Sequence, residues 1–375
     1  MIPVCTPWLP GNERKYALDA IDSNWISSTG KYVEKFERDF AKYCGVNHGV
    51  TCCNGSVAIH LACVTLGLKK GDEVIVTDIT NIASLNGIIL AGAKPVLVDI
   101  EPDTWNINPY KIEEKITKNT KAIMAVHIYG HPCDMDPIVS LAKKYKLFII
   151  EDCAEAHGAE YRGKKCGSFG DISCFSFYAN KILTTGEGGM CLTNDKYLAD
   201  RMRLLKDLAF KIPRFLHDEI GFNYRLTNVQ CAIGAAQVEN IEMLVEARRN
   251  VGLKYHKLLK DVDSIILPVE KPYAKNVYWM YCVILKDTVN MTPEEVMQKL
   301  KEKGIDTRSF FIPMHQQPAY LNKKAENVPD CTGSYPVSEK ISQRGLYLPS
   351  SSNLTDKEIK QVCDALKEVL TSAIE

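Results

Sequence analysis

Five short stretches of this sequence carry side chains that could do chemistry together. The first, Ser173 to Gly189, is Ser-Cys-Phe-Ser-Phe-Tyr-Ala-Asn-Lys-Ile-Leu-Thr-Thr-Gly-Glu-Gly-Gly. A β-prone run leads into Lys181, and a Thr/Gly segment too small to build a core follows. A lysine buried in apolar surroundings or near other cations loses basicity, and its neutral amine can attack a carbonyl to form a Schiff base. A solvated lysine at a strand end would read the same way from this stretch alone.

The other four stretches narrow the choice. Asn54-Gly55-Ser56 opens a helical pattern, where free backbone N–H groups and a serine hydroxyl would seat a phosphate, or where Ser56 is an ordinary N-cap. Ile149-Ile150-Glu151-Asp152 ends a buried-looking strand in two acids, with Glu155 and His157 just beyond. Asp152 there could keep a pyridine nitrogen protonated, cap a helix, or bind a metal; only His157 is near, so no metal is expected. Gly221-Phe-Asn-Tyr-Arg-Leu-Thr-Asn228 offers Arg225 as a bidentate clamp for a carboxylate or phosphate, or as half of an ion pair. Pro313-Met-His-Gln-Gln-Pro318 presents His315 on a proline-bounded loop, a binding loop or a turn. A phosphate seat, a strand-end aspartate and a later lysine, in that order, are what pyridoxal phosphate requires.

These residues need a scaffold, and the pattern predicts one. After an N-terminal arm with Pro3, Pro7 and Pro10, helices are expected over Ala17–Trp25 and Lys31–Tyr43. From residue 50, apolar runs (Glu73–Thr77, Pro95–Ile100, Ala122–His127, Leu147–Ile150, Ile172–Phe177, Met190–Thr193) alternate with helical ones (Ile82–Leu90, Pro109–Ile116, Pro137–Tyr145, Lys196–Leu208). That alternation predicts an α/β fold with a mostly parallel sheet covered on both faces and ligands at the carboxyl ends of its strands. One long helix is expected over Asn228–Leu259, then strands at Tyr278–Leu285 and Asp306–Ile312 and helices at Pro293–Lys303 and Asp356–Leu370. The expected division is a large cofactor-binding domain with the arm, 1–248, and a small C-terminal α+β domain, 249–375.

Composition excludes several classes. With 375 residues, 46% apolar and 25% charged, the chain has an ordinary globular balance. A formal net charge of zero argues against a broad nucleic-acid or anionic-membrane surface. No apolar run nears the roughly 20 residues of a membrane span, and Met1-Ile-Pro-Val-Cys-Thr-Pro does not read as a signal peptide. The 14 cysteines are scattered without a C-x-x-C pair, so they read as reduced core residues in the cytoplasm.

Taken with Trp25-Ile-Ser-Ser-Thr-Gly-Lys, Gly71-Asp-Glu-Val-Ile-Val, Lys121-Ala-Ile-Met-Ala-Val-His-Ile-Tyr-Gly-His-Pro and Gly167-Ser-Phe-Gly-Asp-Ile, these motifs give the chain a resemblance. Over nearly its whole length it resembles the sugar-nucleotide aminotransferases of the fold type I pyridoxal phosphate superfamily. That implies a large domain with a sheet of the seven-stranded type. It also implies Lys181 as Schiff-base lysine and proton carrier, Asp152 on the pyridine nitrogen, and Glu155 near the ring hydroxyl. Gly55, Ser56 and Ser176 would hold the phosphate, Asn223 would reach the phosphate of a neighbouring subunit's cofactor, and Arg225 would meet the co-substrate carboxylate. A homodimer with shared sites follows. His315 and the arm, through Trp25 and Ser28, would contact a sugar nucleotide. The implied reaction takes an amine from L-glutamate to a GDP-linked 4-keto-6-deoxy sugar destined for cell-surface polysaccharide. UDP- or dTDP-linked sugars and a non-catalytic regulatory homologue are the alternatives; related C3-dehydratases carry histidine where Lys181 stands. One departure is visible: Asn81 occupies the place where many relatives have an aromatic against the cofactor ring. Stacking is then lost, with weaker cofactor binding, or supplied by another side chain such as His157.

Overall fold

The computed structural model describes residues 1–322 and 327–371. Its strands are β1 (His48–Cys52), β2 (Glu73–Thr77), β3 (Lys94–Val98), β4 (Thr120–Val126), β5 (Phe148–Asp152), β6 (Glu160–Tyr161), β7 (Lys164–Lys165), β8 (Ile172–Ser176) and β9 (Gly189–Thr193), followed by β10 (Ile265–Ile266), β11 (Ala274–Lys275), β12 (Tyr281–Leu285), β13 (Arg308–Ser309) and β14 (Gly345–Leu348). Seven of them form one sheet in the order β1-β9-β8-β5-β4-β2-β3, parallel except for β9, which runs against both neighbours. Valines and isoleucines such as Val74, Val76, Ile123 and Ile150 have no exposed area, as a sheet covered on both faces demands.

The crossover helices show why the site forms where it does. Helix Gly55–Thr65 is apolar nearly all round (Ala58, Ile59, Leu61 and Ala62 are buried), so it sinks into the sheet face. Asn54 caps it by accepting from Val57 N at 2.9 Å. Its open N-terminal turn is thereby fixed beside the end of β8.

A second core, built from Val251, Tyr255, Leu259, Val283, Leu300, Leu346, Val362 and Leu366 among others, fills a four-stranded antiparallel sheet, β10-β12-β14-β13, and its helices. Helix Ile241–Leu259 feeds both cores, Leu244 and Val245 the first and Val251 and Tyr255 the second.

Several expected elements differ. The single helix Asn228–Leu259 is two, Asn228–Glu239 and Ile241–Leu259, broken at Asn240, whose φ of −115° and ψ of 15° leave the helical basin. Asparagine competes locally for backbone hydrogen bonds, and here its side chain turns back to Ala236 O. The expected helix Pro109–Ile116 is two short 3-10 turns. Helix Lys196–Lys206 stops because Leu208 and Ala209 take positive φ, which lets Leu208 N bond Phe222 O at 2.9 Å. The strand expected over Asp306–Ile312 shrinks to Arg308–Ser309. All fourteen cysteines are free thiols, most of them buried.

Candidate active site

A cavity of about 600 Å³ opens where the carboxyl ends of β4, β5 and β8 meet helix Gly55–Thr65 and the side chains Trp279, Phe311 and Tyr347. Of the residues picked from sequence, Gly55, Ser56, Asp152, Glu155, Ser176 and Lys181 all line it.

The phosphate seat has a steric signature. A Cβ added at Gly55 would lie 2.6 Å from Ser176 Cβ, so only glycine lets the helix turn and the serine approach this closely. The result is a cradle of unpaired N–H groups and hydroxyls at a helix N-terminus, a place that stabilises an anion.

Asp152 ends β5 and is 5% exposed. Its Oδ2 accepts from Ser84 Oγ at 2.8 Å and its Oδ1 from Ala154 N at 3.1 Å. Ser84 in turn shares a 2.7 Å hydrogen bond with Thr80. Burial raises the Asp152 carboxyl above its ordinary pKa, against those hydrogen bonds and the Lys181 charge. A cationic partner placed in the cavity would return it to the ionised form.

Lys181 projects into the same cavity, its Nζ 3.7 Å from the centroid of the Trp279 ring. Burial lowers its pKa from the usual lysine value, opposed by Glu155 and Asp152 and helped by Arg248. This is the environment a nucleophilic amine needs.

Glu155 is buried and accepts from Tyr129 N at 2.7 Å. Tyr129 adopts the left-handed region, φ 51°, inside the turn after β4, which points its N–H at the carboxylate. Burial pushes Glu155 up from 4.5 to about 7, with Lys181 pulling it down. An unfolded glutamate loses its proton near 4.5 and the folded one near 7, so the folded form binds more protons in that window and loses stability as pH rises through it. His157 acts in the opposite sense: burial depresses it from 6.5 to about 3, so its contribution is present above 6.5 and lost on acidification. The difference between wild type and Glu155→Gln isolates the first term. Denaturant melts are expected to show the wild type losing about 1–3 kcal/mol relative to the variant between pH 4.5 and 7. Parallel curves would refute it.

Other picked residues stand elsewhere. His157 is not at the cavity: its ring packs among Phe40, Phe175 and Phe177 at 6.2, 5.4 and 5.5 Å and has no exposed area, so it offers no face to a cofactor ring or sugar. His315 is a tie rather than a ligand contact. Its Nδ1 meets Asp78 at 2.7 Å, its Nε2 meets Glu339 at 3.2 Å and its ring stacks on Tyr335, which pins helix Pro336–Arg344 to the end of β2. Trp25 (59% exposed) and Ser28 lie on the arm, and Trp25 borders a separate cleft with Lys31 and Glu34. Asn223 is exposed, and Arg225 pairs with Asp207 at 2.5 Å; neither lines this chain's own cavity.

Glu151, the other acid of the pair, faces away from the site. It accepts from Gly167 N, Phe169 N, Gly170 N, Ser173 Oγ and His127 Nε2, which fastens the loop between β7 and β8. Burial raises its pKa, but these donors outweigh that and lower it. His127, Glu151 and Cys153 cluster at metal-ligand spacing, yet the Glu151 oxygens are already committed to these donors. Three neighbours of the chemistry escaped the sequence reading: Ser84, Tyr129 and Trp279. Ser84 falls two residues inside a helix, and Trp279 comes from a segment almost 100 residues after Lys181.

A lysine amine, a strand-end carboxylate and an anion seat, on a parallel sheet with a second smaller sheet beside it, define an aminotransferase. The chain belongs to the DegT/DnrJ/EryC1/StrS aminotransferase family, whose model matches residues 9–367. It is 46% identical over 371 residues to the GDP-perosamine synthase of Caulobacter vibrioides, covering 98% of both chains. It is 44% identical to that of Escherichia coli O157:H7, again over 98% of each. Among solved structures it superposes on DesV from S. venezuelae, in complex with a ketimine intermediate, with a TM-score of 0.88 and 34% identity, covering 95% of this chain and 94% of that one. Among the described residues, no helix is long and apolar enough to cross a membrane.

Proposed function

We propose that this chain binds pyridoxal phosphate and transfers an amino group from L-glutamate to the C4 ketone of GDP-4-keto-6-deoxy-D-mannose, giving GDP-perosamine and 2-oxoglutarate. The observation that carries the chemistry is the meeting of Lys181, Asp152 and the Gly55–Ser176 cradle in one cavity. The choice of sugar rests on the full-length similarity to GDP-perosamine synthases. The cytoplasm, where a soluble nucleotide sugar would be available, is the proposed compartment.

When bound, the cofactor supplies an aldehyde and an electron sink. The residues of this chain supply the rest. Gly55, Ser56 and Ser176 would hold the phosphate at a helix N-terminus. Asp152 would keep the ring nitrogen protonated, and Ser84 orients that carboxylate. Lys181 would be the amine that carries the cofactor and the group that moves a proton at the substrate carbon. Glu155 lines the same cavity as Lys181, and its charge favours the ammonium form of that lysine. Asn223, Arg225, Trp25 and Ser28 act on a neighbouring subunit's site in a homodimer. All four lie outside this chain's own cavity, and the segment leading to Asn223 and Arg225 exposes Ile212, Phe215 and Ile220, which supports that arrangement.

Asn81 borders the cavity, and its Oδ1 caps helix Ile82–Leu90 by accepting from Ala83 N at 3.0 Å. Asn81→Tyr should therefore trade stability for affinity. Melts should show a loss of about 0.5–2 kcal/mol for the cap, while titration should show cofactor binding about two- to tenfold tighter through ring contact. Unchanged affinity would mean that the cofactor ring is covered by another group.

The test of the whole reading is absorbance. Pyridoxal phosphate should give a visible band, L-glutamate should shift it into the near ultraviolet, and GDP-4-keto-6-deoxymannose should restore it. Restoration by a UDP- or dTDP-sugar alone would move the assignment to that substrate. No visible band would mean a fold without the activity.

A further inference from the structure

Trp279 and Arg248 have no role in the scheme above, yet the Trp279 ring lies against the reactive lysine and Arg248 holds Trp279. Arg248 is 2% exposed, and its donors reach a hydroxyl, a carbonyl and a thiol sulfur rather than a carboxylate: Ser352 Oγ at 3.0 Å, Trp279 O at 2.6 Å and Cys5 Sγ at 3.6 Å. A buried cation without a carboxylate is costly and is retained against that cost. The contacts close into a circuit. Trp279 Nε1 donates to Asn180 O at 3.0 Å, and Cys5 Sγ lies 3.5 Å from the same oxygen. The circuit thus joins the N-terminal arm, helix Ile241–Leu259, the approach to β12 and the residue directly before Lys181.

We propose that the circuit Arg248–Trp279–Asn180–Cys5 is the positioning device of Lys181: the indole face is the seat of its free amine, and the guanidinium holds that seat through the Trp279 carbonyl. The proposal rests on Lys181 being the reactive amine. An aromatic face attracts the ammonium form. The other groups facing Lys181 are Glu155 and Asp152 at the sheet's end, Cys5 on the arm, His157 in the core below and Glu187 on the cavity wall. They are unchanged in the variants below.

The experiment is competitive acetylation of the full-length chain without cofactor, at about pH 6 to 10. Mass spectrometry would follow Lys181 against exposed Lys118. Because it reads the amine and not turnover, it separates a failure of this inference from a failure of the proposed reaction. Trp279→Leu is expected to label Lys181 about two- to tenfold faster at neutral pH, since the ammonium loses its seat. Trp279→Phe keeps a ring face and should stay within about twofold of wild type. Arg248→Met, which frees the Trp279 carbonyl from its donor, should label Lys181 faster than wild type but less so than Trp279→Leu. If Arg248→Met fails to fold, the Leu and Phe variants still decide the matter. Faster labelling in all three variants would show general loosening and overturn the proposal, as would no change in Trp279→Leu.

Discussion

Lys181→Ala is expected to lower transamination by at least about 10⁴-fold while leaving the fold intact. General acid–base action by a positioned group contributes about 10²–10⁴-fold, and loss of the covalent attachment adds to that. Within the cavity no second lysine stands ready: Lys181 is the lysine among the residues that line it. Lys181→Arg should be equally dead, because a guanidinium stays charged and cannot attack an aldehyde. Stability should hold, since the change removes a charge whose burial already lowers its basicity and leaves the Trp279–Asn180 hydrogen bond in place. Without the ammonium, Glu155 and Asp152 should both take up protons at higher pH, because its charge favours their ionised forms. The assay is turnover with L-glutamate and the keto sugar, alongside a thermal melt. Alanine and arginine variants within about 10² of wild type would remove Lys181 from the mechanism.

The sequence made the anchors of this site readable because each sits at the end of an element with a local signature. Asp152 closes an apolar run, Gly55 and Ser56 open one, and Lys181 follows an alternating strand into glycines. What those anchors touch is set by folding. Ser84 reaches Asp152 across 68 residues and Tyr129 reaches Glu155 across 26, and neither pairing leaves a trace in spacing. The two histidines were misplaced for a related reason: histidine is equally at home in a site and in a core. At His157, apolar Phe40, Phe175 and Phe177 converge from distant segments, and at His315 two carboxylates do. Strand β1 was missed because His48-Gly-Val-Thr-Cys52 is short and half polar, and its antiparallel partner β9 comes more than 130 residues later. The helix break at Asn240 is the converse case: apolar periodicity continues across it, while one residue's backbone leaves the helical basin.

Asp152→Asn is expected to cost about 10²–10³-fold in kcat, the size of effect seen when a preorganised electrostatic partner is removed from a dry site. The substitution is nearly isosteric, and its surroundings can absorb it. The amide oxygen can still accept from Ala154 N, and Ser84, which now donates at 2.8 Å, can turn to accept from the new NH₂ while donating to Thr80. Stability should therefore be unchanged or slightly higher, because a buried carboxylate that burial drives toward protonation has been replaced by a neutral group. What is lost is the fixed negative charge that would hold a ring nitrogen protonated. Ser84→Ala separates orientation from charge: the carboxylate stays but loses a hydrogen bond to a charged group, worth about 1.5–3 kcal/mol, so about a tenfold fall in kcat is expected, with the pH profile moved toward higher pH because Asp152 then holds its proton longer. If Asp152→Asn stayed within tenfold of wild type, the carboxylate would be a structural cap of the Cys153–Ala156 turn, and another group would have to supply the charge.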